Sequence, residues 1–168
     1  MKKLFAPWRS DYASDSGEAK KEKTTKTQCL FCSQLKENKD ETYFILKRLK
    51  HSFVMLNRYP YNAGHLLVLP IKHCANLNDL SKEERAELME LTNHSIEIVN
   101  KVLKNDGLNV GLNLGKAAGA GIPSHLHIHI LPRWEGDTNF MPTIAQTKVI
   151  SFDLGQIYGQ LKQKFDKI

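Results

Sequence analysis

Seven histidines are spread over 168 residues, and three of them fall in the run Ser124-His125-Leu126-His127-Ile128-His129-Ile130-Leu131-Pro132-Arg133-Trp134. In an extended strand a period of two sends His125, His127 and His129 to one face and Leu126, Ile128 and Ile130 to the other. The apolar face suits a core, but a row of imidazoles packs poorly and repels itself when protonated. A lone histidine is usually half buried and satisfied by a carbonyl; three in strict alternation call for a use. Neighbouring imidazoles on such a face stand roughly 6.5 to 7 Å apart, the size of a phosphate group or of a metal ion with its shell. Two chemistries fit: a metal cage built from His-x-His pairs, or nucleophilic catalysis by one imidazole supported by the others.

The stretch just upstream, Asn113-Leu114-Gly115-Lys116-Ala117-Ala118-Gly119-Ala120-Gly121-Ile122-Pro123, is small and glycine-rich. Its backbone can approach a ligand closely and turn N–H groups towards an anion, of which phosphate is the natural guest. Downstream, Pro132 ends the ladder and Arg133 adds a cation. A second group begins at Cys29-Leu30-Phe31-Cys32. Such a pair is half of a zinc site, a redox pair, or two free thiols in a small apolar cluster. The missing ligands would be histidines, and His73 follows a predicted strand. Cys74 reads as packing.

These residues need elements to hold them. Residues 43–46 and 52–57 read as strands joined by a lysine-rich turn, and residues 65–70 as a third strand after a loop containing Tyr59, Pro60, Asn62 and Gly64. The three form an antiparallel meander. Ser81-Lys82-Glu83-Glu84 is a capping box and Gly107 a stop, which predicts one long helix over 81–105, with Leu88, Leu91, Ile98, Val99 and Val102 on its apolar face. His94 on that helix reads as a surface residue. A strand over 108–113 follows, then the histidine strand. Leu154, Ile157, Tyr158, Leu161 and Phe165 recur at helical spacing and predict a C-terminal helix.

The run His125-Leu126-His127-Ile128-His129-Ile130-Leu131 resembles the signature of the histidine triad family over all its positions. The flanking residues, with Asn57-Arg58, Gly64-His65 and an opening Ala6-Pro7-Trp8-Arg9, are similar to the branch of diadenosine tetraphosphate phosphorylases and their hydrolase relatives, over residues 43–150. The resemblance implies an α+β fold with an antiparallel sheet of about five strands and one long crossing helix. It also implies a homodimer and a dinucleoside polyphosphate substrate. By the same resemblance His127 is the nucleophile, with His129 and His65 orienting it and stabilising charge. Asn57 binds the ribose, Asn113 and the loop Gly119, Ala120 and Gly121 bind phosphate, and Met55 and Leu67 wall the base. Asp137, Asn139, Thr147 and Lys148 reach the polyphosphate. Cys29, Cys32, His73 and His125 hold a structural zinc ion, and no organic cofactor is expected. A closed site of two cysteines and two histidines leaves no open position, which suits a structural ion. Triad hydrolases often carry a glutamine followed by serine or threonine before the first histidine. Ala120-Gly121-Ile122 leaves room for a phosphate acceptor instead, so phosphorolysis is expected over hydrolysis.

Composition bounds the rest. With 41% hydrophobic residues, one domain with a sizeable core is expected across 1–168. No apolar run approaches the ~18 residues a membrane span needs, and the N-terminus is too interrupted for a signal peptide, so a cytoplasmic protein is expected. The net charge of +6 is partly concentrated in Lys20, Lys21, Lys23 and Lys26, within a polar stretch 13–27 that reads as a loop or disordered connection. Residues 4–12 read as an aromatic segment docked on a surface. A nucleic-acid-binding sheet would interleave basic and aromatic residues, and none of the predicted strands does. Two other classes stay open: a metal-dependent phosphohydrolase using the triad as ligands, and a nucleotide-binding regulator without turnover.

Overall fold

The computed structural model describes residues 29–137, 141, 144–145 and 152–168. The expectations for residues 4–12 and 13–27, and for Asn139, Thr147 and Lys148, lie outside these. Five antiparallel strands form one sheet in the order β1-β2-β3-β5-β4: β1 Ile45–Arg48, β2 Ser52–Leu56, β3 Leu66–Pro70, β4 Gly107–Leu112 and β5 Ile128–Arg133. Helix α1 (Leu30–Glu37) precedes the sheet, α2 (Lys82–Leu103) connects β3 to β4, and α3 (Leu154–Phe165) follows it. The α+β class, the meander and the strand number all agree with the sequence.

The faces of the sheet differ. Leu46, Val54, Leu56, Leu66, Val68, Leu126, Ile128 and Ile130 point to α2 and α3, meeting Leu88, Leu91, Ile98 and Val99 on the first helix and Ile157, Leu161 and Phe165 on the second. Each such side chain, fully buried, contributes about 1.5–3 kcal/mol, so this face carries most of the stability. The opposite face buries Ile45, Phe53, Met55, Leu67 and Leu69 beneath Phe31 of α1. Strands β2 and β3 are therefore buried on both sides, as their near-continuous apolar sequence requires.

Helix α2 starts where its capping box says. The Ser81 N–H donates to Glu84 Oε2 at 2.7 Å and the Glu84 N–H to Ser81 Oγ at 3.2 Å. Glu87 accepts from the His51 N–H and the Ser52 hydroxyl, both at 2.7 Å, and so ties the helix to the start of β2. The far end differs from expectation. Lys104 takes the left-handed conformation (φ 48°) and closes the helix, while Gly107 opens β4. The start of β1 differs too. Tyr43 and Phe44 lie in a turn, with Phe44 at φ 57°, and the ladder begins only at Ile45. No signal in the sequence announced α1, whose first residue follows Cys29 without a side-chain cap.

Candidate active site

Strand β5 begins at Ile128, so His125, Leu126 and His127 precede the paired ladder and are not part of it. The alternation survives because the Leu126 N–H donates to the Cys74 carbonyl at 2.7 Å, which keeps this stretch extended. Leu126, Ile128 and Ile130 enter the main core as expected. The imidazoles do not form an even row. The His127 and His129 rings converge to 4.9 Å, nearly perpendicular, whereas His125 turns away towards the cysteines.

Hydrogen bonds fix which ring nitrogens carry protons. His127 is buried, and its Nδ1 lies 2.8 Å from the His125 carbonyl oxygen. A carbonyl only accepts, so Nδ1 bears the hydrogen, and in the neutral ring Nε2 is the nitrogen with the lone pair. The backbone N–H of Tyr61 donates to His65 Nδ1 at 3.2 Å. His65 Nε2 must then be the protonated nitrogen, and it donates to His129 Nδ1 at 2.9 Å. His129 is left with an N–H at Nε2. The site thus offers a bare nitrogen on His127 beside a donor on His129, both set by partners behind them.

Electrostatics hold both supporting imidazoles neutral. Burial, reinforced by His129 and His127, lowers His65 to about 3. Burial and the neighbouring His127 lower His129 to about 4. The Tyr61 ring covers the pair, at 4.8 Å from His65 and stacked at 6.2 Å on His129. Nothing in the sequence singled out Tyr61, which lies among turn-forming residues.

His65 depends on the residue before it. Gly64 has φ +68°, a conformation that favours glycine, and a β-carbon there would also require the end of the Leu103 side chain, 2.2 Å away, to move. Asn57 lies behind His65: its Oδ1 accepts from the Tyr59 N–H at 2.9 Å and its Nδ2 is 3.3 Å from His65 Nδ1. Met55 and Leu67 are buried in the face beneath Phe31, whose ring stands 5.7 Å from His127. Asn113 lies near Gly119 and, with Tyr61, Asn109 and His129, lines an open cleft.

Two further groups expected near the phosphates have partners within the protein. The Gly119 N–H donates to the Lys116 carbonyl at 2.9 Å and the Ala120 N–H to the Gly115 carbonyl at 3.4 Å, so in this structure both amides shape the glycine-rich loop. The Asp137 carboxylate accepts from Asn62 Nδ2, Arg133 Nε and the Trp134 N–H, clasping the turn after β5.

At the other end of the stretch, Cys29, Cys32, His73 and His125 form a group that could hold a metal ion. His125 Nε2 donates to the Pro70 carbonyl at 2.9 Å, which leaves Nδ1 as the lone-pair nitrogen. That atom is 3.4 Å from Cys29 Sγ, 3.6 Å from Cys32 Sγ and 3.4 Å from His73 Nδ1. A tetrahedron with ~2.0–2.3 Å bonds has edges of about 3.3–3.8 Å, so the donor set fits. Burial and the adjacent Cys29 push the Cys32 thiol up to about 11, so a thiolate there calls for a cation beside it. His127 and His129 take no part in this cluster. Cys74 is buried in the main core, as expected.

Residues 38–136 match the HIT domain model. The chain belongs to the HIT domain family. This HIT protein is an enzyme of the histidine triad type. It is 37% identical over 150 residues to an AP-4-A phosphorylase of Mycobacterium tuberculosis, covering 89% of this chain and 77% of that one. It is 32% identical to the asymmetrical bis(5'-nucleosyl)-tetraphosphatase of Schizosaccharomyces pombe, over 55% of this chain and 50% of the other. Its fold matches a hypothetical histidine triad nucleotide-binding protein of Sulfolobus tokodaii with a TM-score of 0.65 at 28% identity, covering 83% of this chain and 90% of that one. No helix among the described residues is long and apolar enough to cross a membrane.

Proposed function

We propose that the protein cleaves diadenosine tetraphosphate and related dinucleoside polyphosphates at an α-phosphate, through a nucleotidyl-histidine on His127, with inorganic phosphate the preferred acceptor over water. The observation that carries this reading is the 2.8 Å bond from His127 Nδ1 to the His125 carbonyl, because in the neutral ring it makes Nε2, on the side away from that carbonyl, the nitrogen with the lone pair. Similarity to an AP-4-A phosphorylase supports the substrate class.

In the first half-reaction His127 Nε2 bonds to the α-phosphorus while the bridging P–O bond breaks, its electron pair leaving on the nucleoside triphosphate. The His125 carbonyl holds the Nδ1–H of the cationic ring that results. His129 Nε2–H donates to an oxygen of the phosphoryl group, and His65 keeps that donor in its tautomer. In the second half an acceptor oxygen bonds to phosphorus, the N–P bond breaks and its pair returns to Nε2. Asn57 serves the ribose, Asn113 and the loop Gly119, Ala120 and Gly121 flank the phosphates, and Met55 and Leu67 underlie the base. The Gly119 and Ala120 amides would have to exchange their loop bonds to act as donors.

Cys29, Cys32, His73 and His125 would hold a structural zinc ion, which when bound cross-links α1 to the segment after β3 and to the start of the triad. Thiol ligands of this kind fit a reducing cytoplasm. A homodimer is also proposed; β4 supports it as an edge strand with no charged residue across Gly107–Leu112.

The test is turnover of diadenosine tetraphosphate with and without phosphate. ADP plus ATP appearing only with phosphate is expected, and His127→Ala should slow it on the order of 10⁴-fold or more. AMP plus ATP formed regardless of phosphate would make the enzyme a hydrolase; undiminished turnover by His127→Ala would end the nucleophile assignment.

A further inference from the structure

The two flanks of the paired imidazoles are unlike. On one side of His127 lie Phe31, Met55 and Leu67, buried and apolar. On the other, beyond His129, runs an open cleft of about 280 Å³ lined by Tyr61, Asn109, Gly111, Asn113 and Leu131. We propose that this cleft is the leaving-group subsite, in which the expelled polyphosphate lies along β4 and β5 with its distal phosphates bound by the Arg133 guanidinium and the Asn109 amide. The inference rests on the nucleotidyl-transfer reading above.

Register supports it. Gly111 pairs with His129, Asn109 with Leu131 and Gly107 with Arg133, so His129, Leu131, Asn109 and Arg133 share one face. Gly111 puts no side chain opposite His129, which is what opens the cleft there. Arg133 does not extend away from it: Nη1 donates to Asn109 Oδ1 at 2.8 Å, holding the guanidinium back over the Asn109–Leu131 pair. That pair lies roughly 6.5 to 7 Å beyond the His129 pair, within reach of a short polyphosphate chain starting at the α-phosphorus. Nε is braced by Asp137 at 2.7 Å, and the Asp137 side chain is 9% exposed against 44% for Arg133, so the cation is the accessible partner, joined to the cleft through Asn109. An arginine carries five donors, more than these two contacts use. Because Asn109 Oδ1 accepts from Arg133, its amide nitrogen is the atom that can donate to a ligand.

Chemistry requires a single such subsite. Displacement at phosphorus is in-line, so with His127 entering from one side the leaving group departs from the other. The second displacement must break the N–P bond in-line as well, so an acceptor phosphate enters where the polyphosphate left.

The experiment compares kcat/KM for diadenosine tetraphosphate with that for the p-nitrophenyl ester of AMP, whose leaving group has no phosphate to place in the cleft. In Arg133→Gln and Asn109→Ala the loss on the tetraphosphate should exceed the loss on the ester by about tenfold or more, as expected for removing hydrogen bonds to charged oxygens. A partly unfolded variant loses both activities alike, so the ratio is insensitive to folding. Equal losses on the two substrates, or none on either, overturn the subsite. Wild-type enzyme turning over the ester and quenched in alkaline denaturant, which preserves the acid-labile N–P bond, reports separately on the underlying reading: a nucleotidyl adduct with an unchanged ratio sinks the subsite alone, and absence of any adduct sinks both.

Discussion

His125 serves two sites with two different atoms. Its ring nitrogen joins Cys29, Cys32 and His73, and its backbone oxygen accepts the hydrogen that fixes the His127 tautomer. His65 and His129 show the converse, two rings devoted to one donor, and their neutrality has a measurable consequence. Their unfolded-state value is near 6.5, but burial lowers them to about 3 and about 4 in the fold. The unfolded chain therefore binds more protons in this window. The stability these rings carry is complete above pH 6.5 and is lost as pH falls towards 4. Urea midpoints measured at about pH 7 and about pH 5 should drop in the wild type and drop less in His129→Asn; parallel drops would show that other groups govern the acid limb. Gly64→Ala is a second residue-scale prediction. A β-carbon clashing with Leu103 at a positive φ should cost about 1–3 kcal/mol in thermal or urea unfolding and, by displacing His65, lower kcat as well.

Among the elements, α1 contributes most to the site for its length. It carries Cys32, its entry residue is Cys29, and Phe31 packs on both His125 and His127 at ring distances of 5.5 and 5.7 Å. A bound zinc ion at about 100 times its Kd adds about 2.7 kcal/mol to the folded state. Chelation, or Cys32→Ser, should then lower Tm by on the order of 5–10 °C in scanning calorimetry, and the absence of any shift would count against an ion there. This element was hidden in the sequence because it is only eight residues long, starts without a cap and buries only Phe31. What was legible had a strong periodic cause: the two-residue alternation of β5, the two-sided apolar runs of β2 and β3, and the Ser81–Glu84 capping box of α2. What was not depended on conformation or distant partners. Phe44 in a left-handed turn shortens β1, and Lys104 ends α2 before Gly107. The Tyr61 ring over His65 and His129 belongs to this second class, since only folding sets a turn residue against two imidazoles.

At the scale of the whole molecule α2 and α3 close one face of the sheet, and among the described residues β4 leaves one edge bare. Val110 on that strand is 47% exposed. If two copies join there, Val110→Glu should convert a dimer to a monomer in sedimentation equilibrium without altering far-UV circular dichroism, by the ordinary effect of a charge on an edge strand. A wild-type chain that sediments as a monomer would refute the arrangement. The same two-residue rhythm that divides the sheet also restricts how such a chain can vary over time. Exchanging Leu126 or Ile130 for another aliphatic residue costs little, because the core accepts similar volumes. Inserting or deleting a single residue between His125 and Ile128 would swing imidazoles into the helix-covered core and leucine into the reaction site in one step. Drift can therefore rewrite the letters of this stretch more readily than it can change their spacing.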